Sequence, residues 1–132
     1  MTPEIYWLTL NIIFTAVMVT PYAVYRTKKL GGLWQVFKTP LPGDSPFDDE
    51  WAHRAYRAHM NAFEGIALFA PLAIAIHVTG TGNDVTAMAA AIYFWARLAY
   101  APLFYFDVPV LKTTSWFIGL IATLTLAYEL LA

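Results

Sequence analysis

A chain of 132 residues with 59% hydrophobic and only 13% charged residues is too apolar for an ordinary soluble domain, where charged residues make up about 25%. The absence of cysteine excludes a disulfide framework and a thiolate metal centre. Three histidines do not complete a structural zinc site without carboxylates, and a net charge of −1 argues against nucleic acid as a partner.

The apolar residues fall into four blocks, at about 5–25, 52–78, 85–106 and 110–131. Each holds about 20 residues or slightly more, enough to cross ~30 Å of hydrocarbon as a helix. The predicted fold is therefore all-α: an integral membrane four-helix bundle forming a single domain over residues 1–132. The first block has no basic segment before it. Its basic residues follow it instead, so it reads as a retained helix rather than a signal peptide. Asn11, inside this block, is expected to hydrogen-bond to another helix, and Trp7, Trp34 and Trp116 to anchor at the membrane interface.

A loop spanning about 26–51 comes next. Gly31-Gly32 and the stretch from Thr39 to Pro46 predict irregular backbone. Between them, Leu33, Trp34, Val36 and Phe37 suit a short amphipathic turn on the membrane surface; the alternative is a solvated connector. Asp48, Asp49 and Glu50 suit the positive N-terminal end of the second spanning helix. Gly80, Gly82, Asn83 and Asp84 then separate the second and third spans, and Asp107 and Pro109 the third and fourth. Pro71 and Pro102 are expected to bend their helices, the Ala87–Ala91 run and Gly119 to allow close packing, and His77 and Glu129 to lie solvated near the outer surface.

Lysine and arginine set the orientation. Arg26, Lys28, Lys29 and Lys38 lie in or beside the first loop, Arg54 and Arg57 begin the second span, and Lys112 opens the fourth. The N-terminus, the second loop and the C-terminus carry none. The positive-inside rule places the first and third loops in the cytoplasm and both termini outside.

The second span carries the chemistry. With Arg54 at zero and ~100° per residue, Arg57, Asn61 and Glu64 fall near 300°, 340° and 280°. His53 falls near 260°, at the edge of that stripe, and His59 near 140°, off it. One helix face thus carries two cations, an amide and a carboxylate into the membrane. Each central charge there costs about 2.5–3.5 kcal/mol on insertion scales, so the stripe must face the bundle, a partner subunit or a wet cavity. Glu64 lies about ten residues into its span and Arg97 at a similar depth, which predicts a Glu64–Arg97 ion pair. Such a network either fastens helices together or lines a cytoplasm-facing cavity for an anionic or zwitterionic ligand, since a guanidinium fork matches a carboxylate.

The segment Arg54-Ala-Tyr-Arg57-Ala-His59-Met-Asn61-Ala-Phe-Glu64 resembles the second-helix signature of the MAPEG family, the membrane-associated proteins in eicosanoid and glutathione metabolism. Arg97-Leu-Ala-Tyr100 matches third-helix polar positions of that family, and Asp107-Val-Pro-Val-Leu-Lys112-Thr-Thr-Ser-Trp116 is similar to the third-loop region of bacterial members. The resemblance implies a homotrimer in a bacterial inner membrane, with a glutathione site at each subunit interface. It implies that Arg57, Asn61 and Glu64 contact the glutathione peptide. Arg54 would lie at the mouth, His59 would reach the ligand from an adjoining surface, and Arg26 would hold a ligand carboxylate. Catalysis would rest on Lys112, Arg97 and Tyr100, with glutathione as co-substrate and a lipophilic electrophile or hydroperoxide arriving from the membrane lipids. Two departures stand out. Phe104 replaces a second tyrosine of catalytic relatives, and Lys112 stands nearest to where they place a thiolate-stabilising arginine. The implied function is a glutathione transferase or peroxidase. The alternative is a non-catalytic trimer that binds a lipid or thiol, or an accessory subunit of a membrane complex.

Overall fold

The computed structural model describes residues 1–40 and 47–132. The irregular backbone predicted for residues 41–46 lies outside the described residues. Among those described there are six helices: α1 (Pro3–Val17), α2 (Thr20–Leu30), α3 (Leu33–Lys38), α4 (Glu50–Thr79), α5 (Asp84–Tyr105) and α6 (Pro109–Leu131). Four segments are long and apolar enough to cross a membrane: α1 and α2 taken together, α4, α5 and α6. Large apolar side chains such as Ile13, Leu68, Trp95 and Ile121 face outward, as expected where hydrocarbon rather than water is the solvent.

The first span departs from the single helix predicted. It breaks between Val17 and Thr20, because Pro21 has no N–H to offer the Val17 carbonyl four residues earlier. The buried Met18 at the break packs on Ala58 and Ala62 of α4 and Ala101 of α5.

The turns behave as their residues dictate. Gly31 closes α2 at φ 86°, and the N–H of Gly32 returns to the Thr27 carbonyl at 3.0 Å. Asn83 caps α5, its side chain accepting from the N–H groups of Val85 and Thr86 while the Thr86 hydroxyl accepts from the Asn83 N–H. This reciprocal box satisfies donors that a helix start leaves free. At the other end of α5, Asp107 takes a left-handed φ of 53°. The Asp107 N–H bonds the Phe104 carbonyl and the Val108 N–H bonds the Leu103 carbonyl, the paired closure of a Schellman motif. Asparagine and aspartate tolerate such a backbone better than other side chains.

In the resulting bundle, α6 runs along α5, while α1 packs on both α4 and α5. Close approach depends on small residues. Ala52, Ala55, Ala58 and Ala62 form a buried strip along α4, at the three- and four-residue spacing of one helix face. The core toward the termini centres on Phe69 stacked on Tyr93, with ring centroids 4.0 Å apart, surrounded by Leu8, Ile76, Ala90 and Leu126. Asn11 is buried, but its amide donates to the Trp7 carbonyl one turn back in its own helix at 3.3 Å, where an interhelical bond was expected. Trp7 itself packs on Phe94 and Trp95 inside the bundle's flank. Glu129 accepts from the Asn83 amide at 2.7 Å and His77 shares a 3.3 Å contact with the Thr2 hydroxyl, so both side chains predicted to be merely solvated also tie elements together.

Candidate functional site

The α4 stripe forms as its helical angles require. Glu64 stands at the middle of α4 (Glu50–Thr79) and is exposed, as is Arg57 two turns nearer the basic end. Asn61 lies between them, half-buried. Its Oδ1 accepts from Arg97 Nη2 at 2.6 Å, and its Nδ2 donates to Glu64 Oε2 at 3.3 Å. The predicted Glu64–Arg97 ion pair is therefore not direct: the Asn61 amide sits between the two charges. An amide can do this because it offers an acceptor at one corner and donors at the other.

Arg97 is buried, 6% exposed, within the bundle. Two glycines make room for it. A Cβ on Gly119 of α6 would stand 3.4 Å from Arg97 Cδ, and one on Gly65 of α4 would stand 2.6 Å from the Tyr93 hydroxyl and 3.8 Å from the Arg97 guanidinium. Arg97 Nε and the Tyr93 hydroxyl are both buried and have no hydrogen-bond partner among the described residues. The guanidinium also lies over the Tyr100 ring at 4.5 Å, a cation–π contact that strengthens where water is excluded.

Tyr100 carries the network to α6. It lines a cavity of about 250 Å³ with Phe104, Lys112, Thr113 and Trp116. Lys112 Nζ lies 5.2 Å from the Phe104 ring centre and donates to Asp107 Oδ1 at 2.5 Å. That hydrogen bond and the lysine charge hold the Asp107 carboxyl below its ordinary value. Glu64, Asn61, Arg97, Tyr100, Phe104 and Lys112 thus form one contiguous path across three helices. A larger cleft of about 440 Å³ lies between α5 and α6, but it is lined almost wholly by apolar groups such as Met88, Ile92 and Ile118 and includes none of this path. The smaller cavity is the one that adjoins the chemistry.

The remaining predicted residues lie off this path. Arg54 Nε donates to the Tyr105 carbonyl at 2.8 Å and Nη1 reaches Glu50 at 3.4 Å, so Arg54 ties the start of α4 to the end of α5. Arg26 Nη2 donates to the Thr39 carbonyl. His59 points off the stripe, as its angle required. It is buried, shares a 2.5 Å hydrogen bond with the Tyr22 hydroxyl through Nδ1, packs on Phe63, and leaves Nε2 without a partner among the described residues. Sequence reasoning missed Trp116 and Thr113 as lining residues, although their spacing from Lys112 puts them on one side of α6. It also missed Tyr93 and Gly65, which carry no polar pattern of their own.

The family model described as MAPEG family matches residues 5–132, nearly the whole chain. No curated protein and no solved structure matches it.

Proposed function

The chain belongs to the MAPEG family, and on that premise we propose that it is a glutathione-dependent membrane enzyme of the transferase or peroxidase type, acting in a bacterial inner membrane on a lipophilic electrophile or hydroperoxide. One observation carries the reading. Arg57 and Glu64 lie exposed on a membrane-spanning helix, and neither has an ion-pair partner among the described residues. Charges in that setting require a partner subunit or a polar ligand. A homotrimer with glutathione between its subunits supplies both.

In this reading the Arg57 guanidinium holds a glutathione carboxylate by paired hydrogen bonds. Asn61 and Glu64 take the peptide's amide and ammonium groups, and Arg97 fixes the Asn61 amide so that its donors face the ligand. The thiol enters the cavity beside Lys112, whose ammonium favours the thiolate, the nucleophilic form. The thiolate then attacks an electrophilic centre delivered from the lipid, the new bond to sulfur forming as the leaving group departs with its electron pair. Tyr100, held under Arg97, faces the same cavity as a hydroxyl donor.

The test is a titration of glutathione into the purified protein in detergent, following thiolate absorbance. The expected result is saturable binding with a thiolate signal. Lys112→Met should remove that signal and leave binding in place. Absence of binding at millimolar glutathione would overturn the reading. A second reading, a trimer that binds a thiol or lipid without turning it over, is favoured by the 2.5 Å Asp107–Lys112 bond, which commits the ammonium to a carboxylate, and by Phe104 at the cavity wall. Saturable binding without a thiolate signal would decide for it.

A further inference from the structure

Helix α3 is attached to the rest of the chain at both ends, and among the described residues nothing covers its apolar side chains between them. At its start, Gly31 and Gly32 turn the chain at φ 86° and 134°, immediately after the first spanning segment ends at Leu30. At its end, Arg26 of α2 grips the Thr39 carbonyl through Nη2. The helix is thereby held against α2 at the mouth of a membrane-crossing segment.

Its side chains divide by angle. At ~100° per residue, Leu33, Phe37 and Trp34 fall within about 100° of one another, while Gln35 lies opposite and Val36 turns aside. Val36 is half-buried, whereas Leu33, Trp34 and Phe37 are 65%, 67% and 78% exposed, and α3 buries no residue in the core. Lys38 stands beside this stripe with its ammonium 5.1 Å from the Trp34 ring centre, and Lys28 and Lys29 occupy the last turn of α2. Lys28 and Lys38 make no ion pair among the described residues. An apolar stripe beside the Lys38 ammonium, with Lys28 in the last turn of the adjoining α2 and level with the end of a spanning helix, has the chemistry of a segment lying in a headgroup layer.

We propose that α3 is an interfacial brace, with Leu33, Trp34 and Phe37 immersed among acyl chains and Lys28 and Lys38 binding the headgroups of anionic lipids in the adjacent leaflet. Arg26 is the clasp that keeps α3 in register with the membrane plane. The proposal stands independently of the glutathione site.

The absence of native cysteine permits a direct test. Single variants Leu33→Cys, Gln35→Cys and Phe37→Cys, each in the full chain, carry a nitroxide label in bilayer vesicles of phosphatidylcholine alone or mixed with phosphatidylglycerol. Labels at 33 and 37 should collide with dissolved oxygen more than with a water-soluble nickel chelate, and the label at 35 the reverse. Phosphatidylglycerol should deepen the immersion at 37. In the same vesicles, Lys28→Gln with Lys38→Gln should cancel that deepening, by roughly fivefold in the immersed population for each lysine. Equal nickel access at 35 and 37 in both lipids would overturn the proposal in favour of a solvated connector. Shielding of position 37 from both reagents would overturn it in favour of a protein surface covering α3.

Discussion

The bundle holds polar groups in opposite ways at its two ends. At the end that carries the termini, Glu4 is 2% exposed and accepts the Thr86 hydroxyl at 2.5 Å. Thr86 accepts the Asn83 N–H, and Asn83 donates its amide to Glu129. This chain of hydrogen bonds runs from α1 through the cap of α5 to α6 and fastens the three together. Toward the basic end, Asn61 joins Arg97 to Glu64, yet among the described residues Arg57 has no ion-pair partner and the buried Arg97 Nε has no hydrogen-bond partner. Both clusters sit in a chain solvated by lipid, where unmet polar groups are costly. The difference separates a closed cluster, whose groups hydrogen-bond to one another across three helices, from an open one, whose Arg57 has no ion-pair partner among the described residues and which the proposed function assigns to a ligand.

Four expected outcomes sharpen that contrast or break it. The largest concerns the open cluster. Arg57→Ala should weaken glutathione binding by about 1.5–3 kcal/mol, the usual worth of hydrogen bonds to a charged group, and leave the thermal midpoint of the subunit nearly unchanged. Calorimetric titration and thermal unfolding in detergent read the two separately. Loss of assembly with unchanged affinity would instead make the stripe a fastening. Next is Gly65→Ala. Its Cβ would meet the Tyr93 hydroxyl at 2.6 Å, and Tyr93 cannot swing aside because its ring is stacked on Phe69. Overpacking of this kind costs about 1–3 kcal/mol, and it should lower the midpoint and disturb ligand binding together.

A smaller effect belongs to the closed cluster. Thr86→Val removes the hydroxyl that Glu4 accepts. The same hydroxyl also accepts the Asn83 N–H, so two hydrogen bonds are lost and the buried Glu4 is left with one donor fewer; the cost should be about 1–2 kcal/mol. Glutathione affinity should stay the same; a change in it would dissolve the distinction between the two ends. The smallest effect is a pH dependence at the α5–α6 turn. Because Lys112 lowers the Asp107 pKa, ionised Asp107 contributes stability that is present above the ordinary aspartate range of about 4 and lost as the pH falls through the depressed value. The stability difference between the native chain and Asp107→Asn should therefore shrink on acidification, as followed by unfolding midpoints across an acid series.

The spans and most turns were legible because their signals are local. Twenty apolar residues specify a crossing helix whatever surrounds them, and Gly80, Asn83 and Asp107 mark helix ends through their own backbone preferences. The break in the first span was equally local, since Pro21 follows Thr20 in plain view, but hydropathy averages across a proline without registering the lost hydrogen bond. The polar stripe was legible too, as helical periodicity places Arg57, Asn61 and Glu64 on one face without reference to any other helix. Its partners were not. Which atom stands between Arg97 and Glu64 depends on how closely α4 and α5 approach, and that is set by residues with no polar signature, among them Gly65, Gly119 and the alanine strip of α4.

By itself the sequence determined four crossings, the polar stripe on the second and the asymmetry of basic residues between the two ends. Only the tertiary structure decided that Asn61 joins Arg97 to Glu64, that Arg54 and Arg26 grip backbone carbonyls, and that Trp116 completes a cavity with Lys112. The physical reason is range. Hydrophobic length and helical angle are properties of consecutive residues, whereas a hydrogen bond needs two atoms within about 3 Å, and side chains separated by 36 positions, like Asn61 and Arg97, reach that distance only when the packing of small residues brings their helices together.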